Sequence, residues 1–260
     1  KRFDEARRTY GELSERYPQS EQVPYALYWK GMAARESGDN AAALGAFREL
    51  RENYASHDYG ALATLKLGDM NSESGKYADA VADYNVVIGG RKNDALALEA
   101  MLKKGQALYK SGDSAQAEST LRALIADRPN DIMAHKARLE LAENLLNKGQ
   151  GDEAVKLAET VIEKILDENA AHAQYIIGKK YFNEGNYARA FDELMRVTIL
   201  YKNVQNFEEW SAKAKILIAQ CHDRLGRRDE AIKVLKEVIE IHPRDEIGNQ
   251  AKSLIDTLNR

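Results

Sequence analysis

The chain has 260 residues, 38 basic and 41 acidic for a formal net charge of −3, with 17 glycines, 4 prolines and one cysteine. Charges this evenly balanced exclude a strong field toward nucleic acid or anionic lipid. A lone Cys221 excludes an internal disulfide, and no apolar run approaches the roughly 18 residues that span a bilayer.

The reading begins with a helix over about residues 2–16, where Phe3, Ala6, Tyr10 and Leu13 recur at spacings of three and four. RYP at 16–18 stops it, because proline disfavours helix in the residue before it. A helix pair is predicted next, turning at RESGDNAAAL, residues 35–44. That turn returns as SESGKYADAV at 72–81, YKSGDSAQAE at 109–118 and NKGQGDEAV at 147–155. NEGNYARAF at 183–191 and RLGRRDEAI at 224–232 complete the series. The pattern predicts six helix pairs between about 21 and 241, followed by a capping helix at about 245–258. Ile247, Ala251, Leu254, Ile255 and Leu258 share one face of that last helix.

Four series of small residues keep one beat. Ala6, Ala43, Ala80, Ala117 and Ala154 are spaced by 37, with Ala190 after a further 36 and Ala231 after 41. Five residues before each of the last six stands a glycine: Gly38, Gly75, Gly112, Gly149, Gly185 and Gly226. Gly31, Gly68, Gly105, Ala142, Gly178 and Ala219 precede these by seven, and Ala26, Ala63, Ala100, Ala137, Ala173 and Ala214 come five earlier still. A turn glycine takes positive φ and ends the first helix, while the other small residues mark close helix approach. Phe47, Tyr84, Leu121 and Leu194 are bulky and fill the space between helices. Asp39, Asp113 and Asp152 fall near helix starts, where a carboxylate satisfies free N–H groups.

This pattern of small residue, turn glycine, alanine, aromatic or leucine, and closing proline resembles the tetratricopeptide repeats. Gly31, Gly38, Ala43 and Phe47 carry it, as do Gly105, Gly112, Ala117, Leu121 and Pro129. Their usual period is about 34; this one is longer. The longer unit with its YPQS linker is similar to those of bacterial envelope proteins such as the Tol–Pal cell-division coordinator and the outer-membrane assembly lipoprotein. The resemblance implies an all-α fold, an α-solenoid wound as a right-handed superhelix, forming a single repeat domain over residues 1–260. The first helix of each pair would line its concave face.

No catalytic, cofactor or metal site is expected. His57, His135, His172, His222 and His242 are scattered along the chain, and none has the spacing of a zinc helix. Two features stand out. Tyr28, Leu65, Leu102, Leu139, Tyr175 and Ile216 share one frame position of the first helices. They are expected to pack between neighbouring first helices and also to floor a groove. The partner-binding face is accordingly read as Tyr25, Tyr28, Met32, Arg35, Leu65, Asp69, Leu102, Tyr109, Glu143, Tyr175, Lys179 and Phe182. The second feature is TILYKNVQNFEEWS, residues 198–211, a stretch about four residues longer than its counterparts. Its aromatics are expected to cover an edge of the stack, with Phe207 and Trp210 as an alternative partner site.

The expected function is a non-catalytic scaffold binding a protein, peptide or helix, with neither nucleic acid nor membrane as partner. A rigid spacer in a bacterial envelope secretion or assembly machine is the alternative, with a periplasmic or envelope setting favoured over the cytoplasm. An accessory role to a catalytic domain ranks third. Self-association is expected through the apolar stripe of the first helix, whose pairing helix does not precede it.

Overall fold

The computed structural model describes residues 2–91, 94–205 and 207–259. Among them it contains fourteen α-helices and no strand, in two compact units, Lys1–Asp127 and Arg128–Arg260. The first unit opens with α1 (Arg2–Arg16) and continues as three antiparallel pairs. These are α2 (Val23–Glu36) with α3 (Asn40–Asn53), α4 (Asp58–Glu73) with α5 (Tyr77–Gly90), and α6 (Ala95–Ser111) with α7 (Ser114–Asp127). The second unit pairs α8 (Ile132–Asn147) with α9 (Gly151–Ile162) and α10 (Glu168–Asn183) with α11 (Tyr187–Leu200). It ends with α12 (Phe207–Arg224), α13 (Arg228–Ile241) and α14 (Glu246–Leu258). This is an all-α fold of the repeat-solenoid type.

Local chemistry sets the ends of these helices. The six turn glycines adopt φ between 74° and 90°, the left-handed region that other residues enter at a cost. The chain can therefore reverse in two or three residues. Asp39 accepts from the Ala42 amide at 3.0 Å and Asp113 from the Gln116 amide at 3.1 Å, as N-caps do. Asp152 instead lies within the first turn of α9 and pairs with Lys180 at 3.1 Å. A second cap series starts the first helices. Asp94, Asp131, Asp167 and Asp245 each accept a backbone N–H of the following turn, and His57 does so through Nδ1.

The bulky residue of each second helix packs onto the small residue of its first helix. A Cβ placed on Gly31 would lie 2.6 Å from the Phe47 ring, and one on Gly68 only 2.5 Å from the Tyr84 ring. Leu121 fills the same space against Gly105 at 2.5 Å, and Leu194 against Gly178 at 2.6 Å. Phe47, Tyr84, Leu121 and Leu194 are all buried, each worth about 1.5–3 kcal/mol of hydrophobic stabilisation. In the fourth pair the frame holds alanine at both positions, Ala142 and Ala158, and both are fully buried. In these five pairs size at one position is matched to size at the other, while the sixth keeps Ala219 with Leu235, both buried.

Within each unit the first helices also pack on one another, α2 on α4 on α6, and α8 on α10 on α12 on α14. Among the described residues the backbones of neighbouring second helices stand apart; Arg51 of α3 bridges to Asp83 of α5 at 3.0 Å with its side chain. The first helices therefore form the inner face of each stack. At the start of the first unit α1 buries only Gly11 and leaves Phe3 exposed.

The steric exchange has a direct test. Gly68→Ala is expected to cost about 1–3 kcal/mol by overpacking. The same change made in a Tyr84→Ala background recreates the fourth-pair combination and should cost little. A denaturant double-mutant cycle measures the difference; equal costs in both backgrounds would show that the glycine answers some other demand.

Candidate protein-interaction site

The expected partner residues all lie on first helices: Tyr25, Tyr28, Met32 and Arg35 on α2, Leu65 and Asp69 on α4, and Leu102 and Tyr109 on α6. Glu143 is on α8, and Tyr175, Lys179 and Phe182 are on α10. The structure separates these into two groups. Leu65 is 1% exposed, Leu102 6% and Tyr28 8%, so they are core side chains and not an open floor. Leu65 packs among Ala80, Tyr84 and Val87 of α5 and Ala100 and Ala107 of α6. Its frame position points between pairs, where the next pair covers it. Tyr25 is exposed, while Met32, Arg35, Tyr109, Glu143, Tyr175, Lys179 and Phe182 remain partly open.

Asp69 is also engaged internally. The Tyr84 hydroxyl donates to it at 3.0 Å, and Lys103 of α6 reaches it at 3.0 Å. Burial, with the Asp69 carboxylate beside it, pushes the Tyr84 phenol above its ordinary value. Arg35 pairs with Glu73 of α4. These contacts line an open polar depression with Lys66, Gln106 and Lys110.

The second unit carries a column of side chains across three first helices. His172 Nε2 lies 2.8 Å from Glu143 Oε1. The His172 ring stacks on Trp210 of α12 with centroids 3.8 Å apart and planes 14° from parallel. Lys213 sits 4.2 Å above the Trp210 ring, a cation–π placement. Burial works to raise the Glu143 carboxyl, but the hydrogen bond from His172 and the nearby Lys179 and Lys213 outweigh it and hold the group below its ordinary value. Burial, with Glu143 nearby, pushes the Tyr175 phenol up to about 12.

Two grooves flank α12. The first, of about 270 Å³, is mostly apolar and is lined by Phe182 of α10, Ala219 and Gln220 of α12, Leu235 of α13, and Leu254 and Leu258 of α14. Asp223, Arg224 and Thr257 supply its polar lining. The second, of about 380 Å³, includes Phe207, Ser211, Lys215, Val238 and Ile241. The aromatics of the longer link turn inward. Tyr201 is 3% exposed and packs with Ala170 and Ala171 of α10, with Val204, Phe207 and Trp210 against the same cluster. Phe207 is half-buried, and so is Trp210.

Cys221 is buried, and burial pushes its thiol up to about 11, far from the thiolate that a nucleophile requires. Among the described residues no group of three His, Cys, Asp or Glu side chains is placed to hold a metal ion, and no helix is long and apolar enough to cross a membrane.

One tetratricopeptide-repeat family model matches residues 1–58, 30–97, 65–132, 102–159 and 139–202, and a second matches 212–245. The chain belongs to the tetratricopeptide repeat family. Such repeats are protein-interaction scaffolds, in general without catalysis. No curated protein matches the chain. Among solved structures it is similar to a tetratricopeptide repeat protein from Parabacteroides merdae, 16% identical, over 99% of this chain and 93% of that one, with a TM-score of 0.71. Yeast Tom70, also 16% identical, matches over 99% of this chain and 58% of its own length at a TM-score of 0.60. At such identities the likeness carries the fold alone.

Within this tetratricopeptide scaffold the sequence reading overlooked Trp29, which is 40% exposed, and His172. Trp29 lies four residues after Tyr25 and so on the same helix face, a signal that was present in the sequence. His172 was legible only as a histidine, since its partners come from α8 and α12.

The lowered Glu143 carboxyl stabilises the folded state at pH values above the unfolded carboxylate range, and that contribution is lost as pH falls through the folded value. Glu143→Gln should therefore lower the Tm at neutral pH, with the gap to the parent closing on acidification below about pH 4. Thermal melts across pH check this; a gap constant with pH would assign the effect to packing.

Proposed function

We propose that this tetratricopeptide scaffold captures a segment of a partner protein along the first helices of its second unit, with the Phe182 groove as a principal anchor site. The observation that carries this reading is the mostly apolar groove of about 270 Å³ between α10, α12 and α14, with Phe182 and Leu254 among its lining residues. A concave apolar pocket with a few polar groups around it receives a single hydrophobic side chain and orients its backbone. Burying that anchor contributes about 1.5–3 kcal/mol before ordering costs. Tyr175 and Lys179, partly open on the same face of α10, would read the rest of the segment. Lys233 of α13 is exposed and lines neither groove beside α12.

Selection of a displayed random-peptide library on the purified chain tests the reading. Recovered peptides should share a bulky apolar residue and bind Phe182→Ala at least tenfold more weakly, a loss of about 1.4 kcal/mol, while Lys233→Ala binds them normally. A selection that yields no peptide, or peptides indifferent to Phe182, would overturn the assignment of the groove.

A further inference from the structure

In the second unit the helices alternate in direction, so every link from a second helix to the next first helix falls on one edge of the stack. Three such links carry exposed aliphatic side chains. Leu166 precedes α10 at 76% exposure, Leu200 ends α11 at 60%, and Ile241 ends α13 at 58%. Between the last two links lies the groove of about 380 Å³, with Phe207, Ala212, Val238 and Ile241 in its walls and the exposed Glu208 beside them. This edge is acidic. Residues 162–172, 200–210 and 238–248 hold eight Asp and Glu against three Lys and Arg. The turns of the opposite edge, residues 144–154, 180–190 and 221–231, hold six of each.

Helix chemistry accounts for only part of that excess. Asp167 and Asp245 cap α10 and α14, and acids in a first turn suit the positive end of a helix dipole. Glu163, the C-cap of α9, and Glu240, in the last turn of α13, stand instead at negative ends, where the dipole favours lysine or arginine. The last turns of α9, α11 and α13 contain no basic residue. Glu208, Glu240 and Glu246 are exposed and make no ion pair among the described residues.

We propose that this edge docks a basic amphipathic helix of a partner protein. Its apolar stripe would sit on Leu200, the groove and Ile241, with lysines or arginines facing Glu208, Glu240 and Glu246. The proposal rests on the scaffold reading above and adds a second surface, separate from the Phe182 groove. Charge selects the sign of the partner: burial of the aliphatic row supplies the affinity, while an edge of one dominant sign speeds encounter with cations and rejects acidic segments. Backbone chemistry selects the conformation. The N–H groups that open α10 and α14 are already taken by Asp167 and Asp245, and the described residues contain no sheet edge. An extended segment pressed into the groove would find few partners for its own N–H and C=O groups. A helix brings those hydrogen bonds with it.

The probe is a fluorescent leucine–lysine peptide whose leucines recur three and four residues apart. It should bind saturably in fluorescence anisotropy and more weakly as salt rises. A benzophenone on its apolar face should crosslink within residues 197–210 or 238–248. Leu200→Ser combined with Ile241→Ser should weaken binding at least tenfold, as should the combination of Glu208→Gln, Glu240→Gln and Glu246→Gln, with helicity unchanged by circular dichroism. Phe182→Ala should bind the probe as the parent does. The proposal falls if the peptide fails to bind at millimolar concentration, or if its crosslinks map elsewhere. It falls equally if a leucine–glutamate helix, or a peptide of the same composition with leucine and lysine alternating, binds as well. A dimer in sedimentation velocity that the Leu200→Ser, Ile241→Ser variant abolishes would assign the edge to a second copy. Cosedimentation with phosphatidylcholine vesicles, lost in that variant, would assign it to lipid. Either result overturns the proposal. If library peptides still depend on Phe182 while this probe fails, the scaffold reading stands and this one falls; if the probe binds and the library yields nothing, the reverse holds.

Discussion

The contact on which the rest depends is the bulky side chain of a second helix pressed onto a residue that has almost no side chain. Phe47 on Gly31, Tyr84 on Gly68, Leu121 on Gly105 and Leu194 on Gly178 leave no room for a Cβ. Two helices brought this close need only a short reversal, which the positive-φ glycines supply. Close pairing of first with second helix also leaves the first helices adjacent from pair to pair within each unit. The inner face exists because of that contact, and so do the clefts and depressions that it carries.

A core choice reaches this inner face through polar groups. Tyrosine at position 84, where phenylalanine, leucine or alanine stands in other pairs, brings a hydroxyl into the interior, and Asp69 accepts from it at 3.0 Å. A buried hydroxyl without such a partner would destabilise the fold. Asp69 then draws Lys103 from the next pair. Glu143 holds the same frame position in the second unit, one residue after the small residue, and it too is met by the following first helix, through His172. Two carboxylates at one repeat position thus bind one pair to the next, by different donors. Their engagement explains why neither is a freely available ligand group.

Outer helices show exposed charges such as Lys233 and Lys236, with exposed aliphatic residues such as Val86 of α5 and Leu200 of α11. The inner face mixes rings with charges already committed to one another, as in the pairing of Arg35 with Glu73. Aromatic and apolar groups are open there as well, Tyr25 and Trp29 in one unit and the groove beside Phe182 in the other.

The sequence by itself determined the helices, the turns and the helix pairing. Each of those features is governed by a residue whose demand is local, such as a glycine at positive φ or an alanine where backbones meet, and repetition made the demands visible. It also held the cap series of Asp94, Asp131 and Asp167, which only the observed helix starts drew out. Tertiary structure alone decided which inner-face residues stay open. Leu65 and Tyr175 occupy the same frame position, yet Leu65 is 1% exposed and Tyr175 is partly open. Likewise Trp210, read from sequence as an edge aromatic, lies flat on His172 of the preceding pair. Exposure at such positions depends on the atoms of a neighbouring pair, some 37 residues away in the chain. Local periodicity places a side chain on a face; only packing of the next pair covers it or leaves it to a partner.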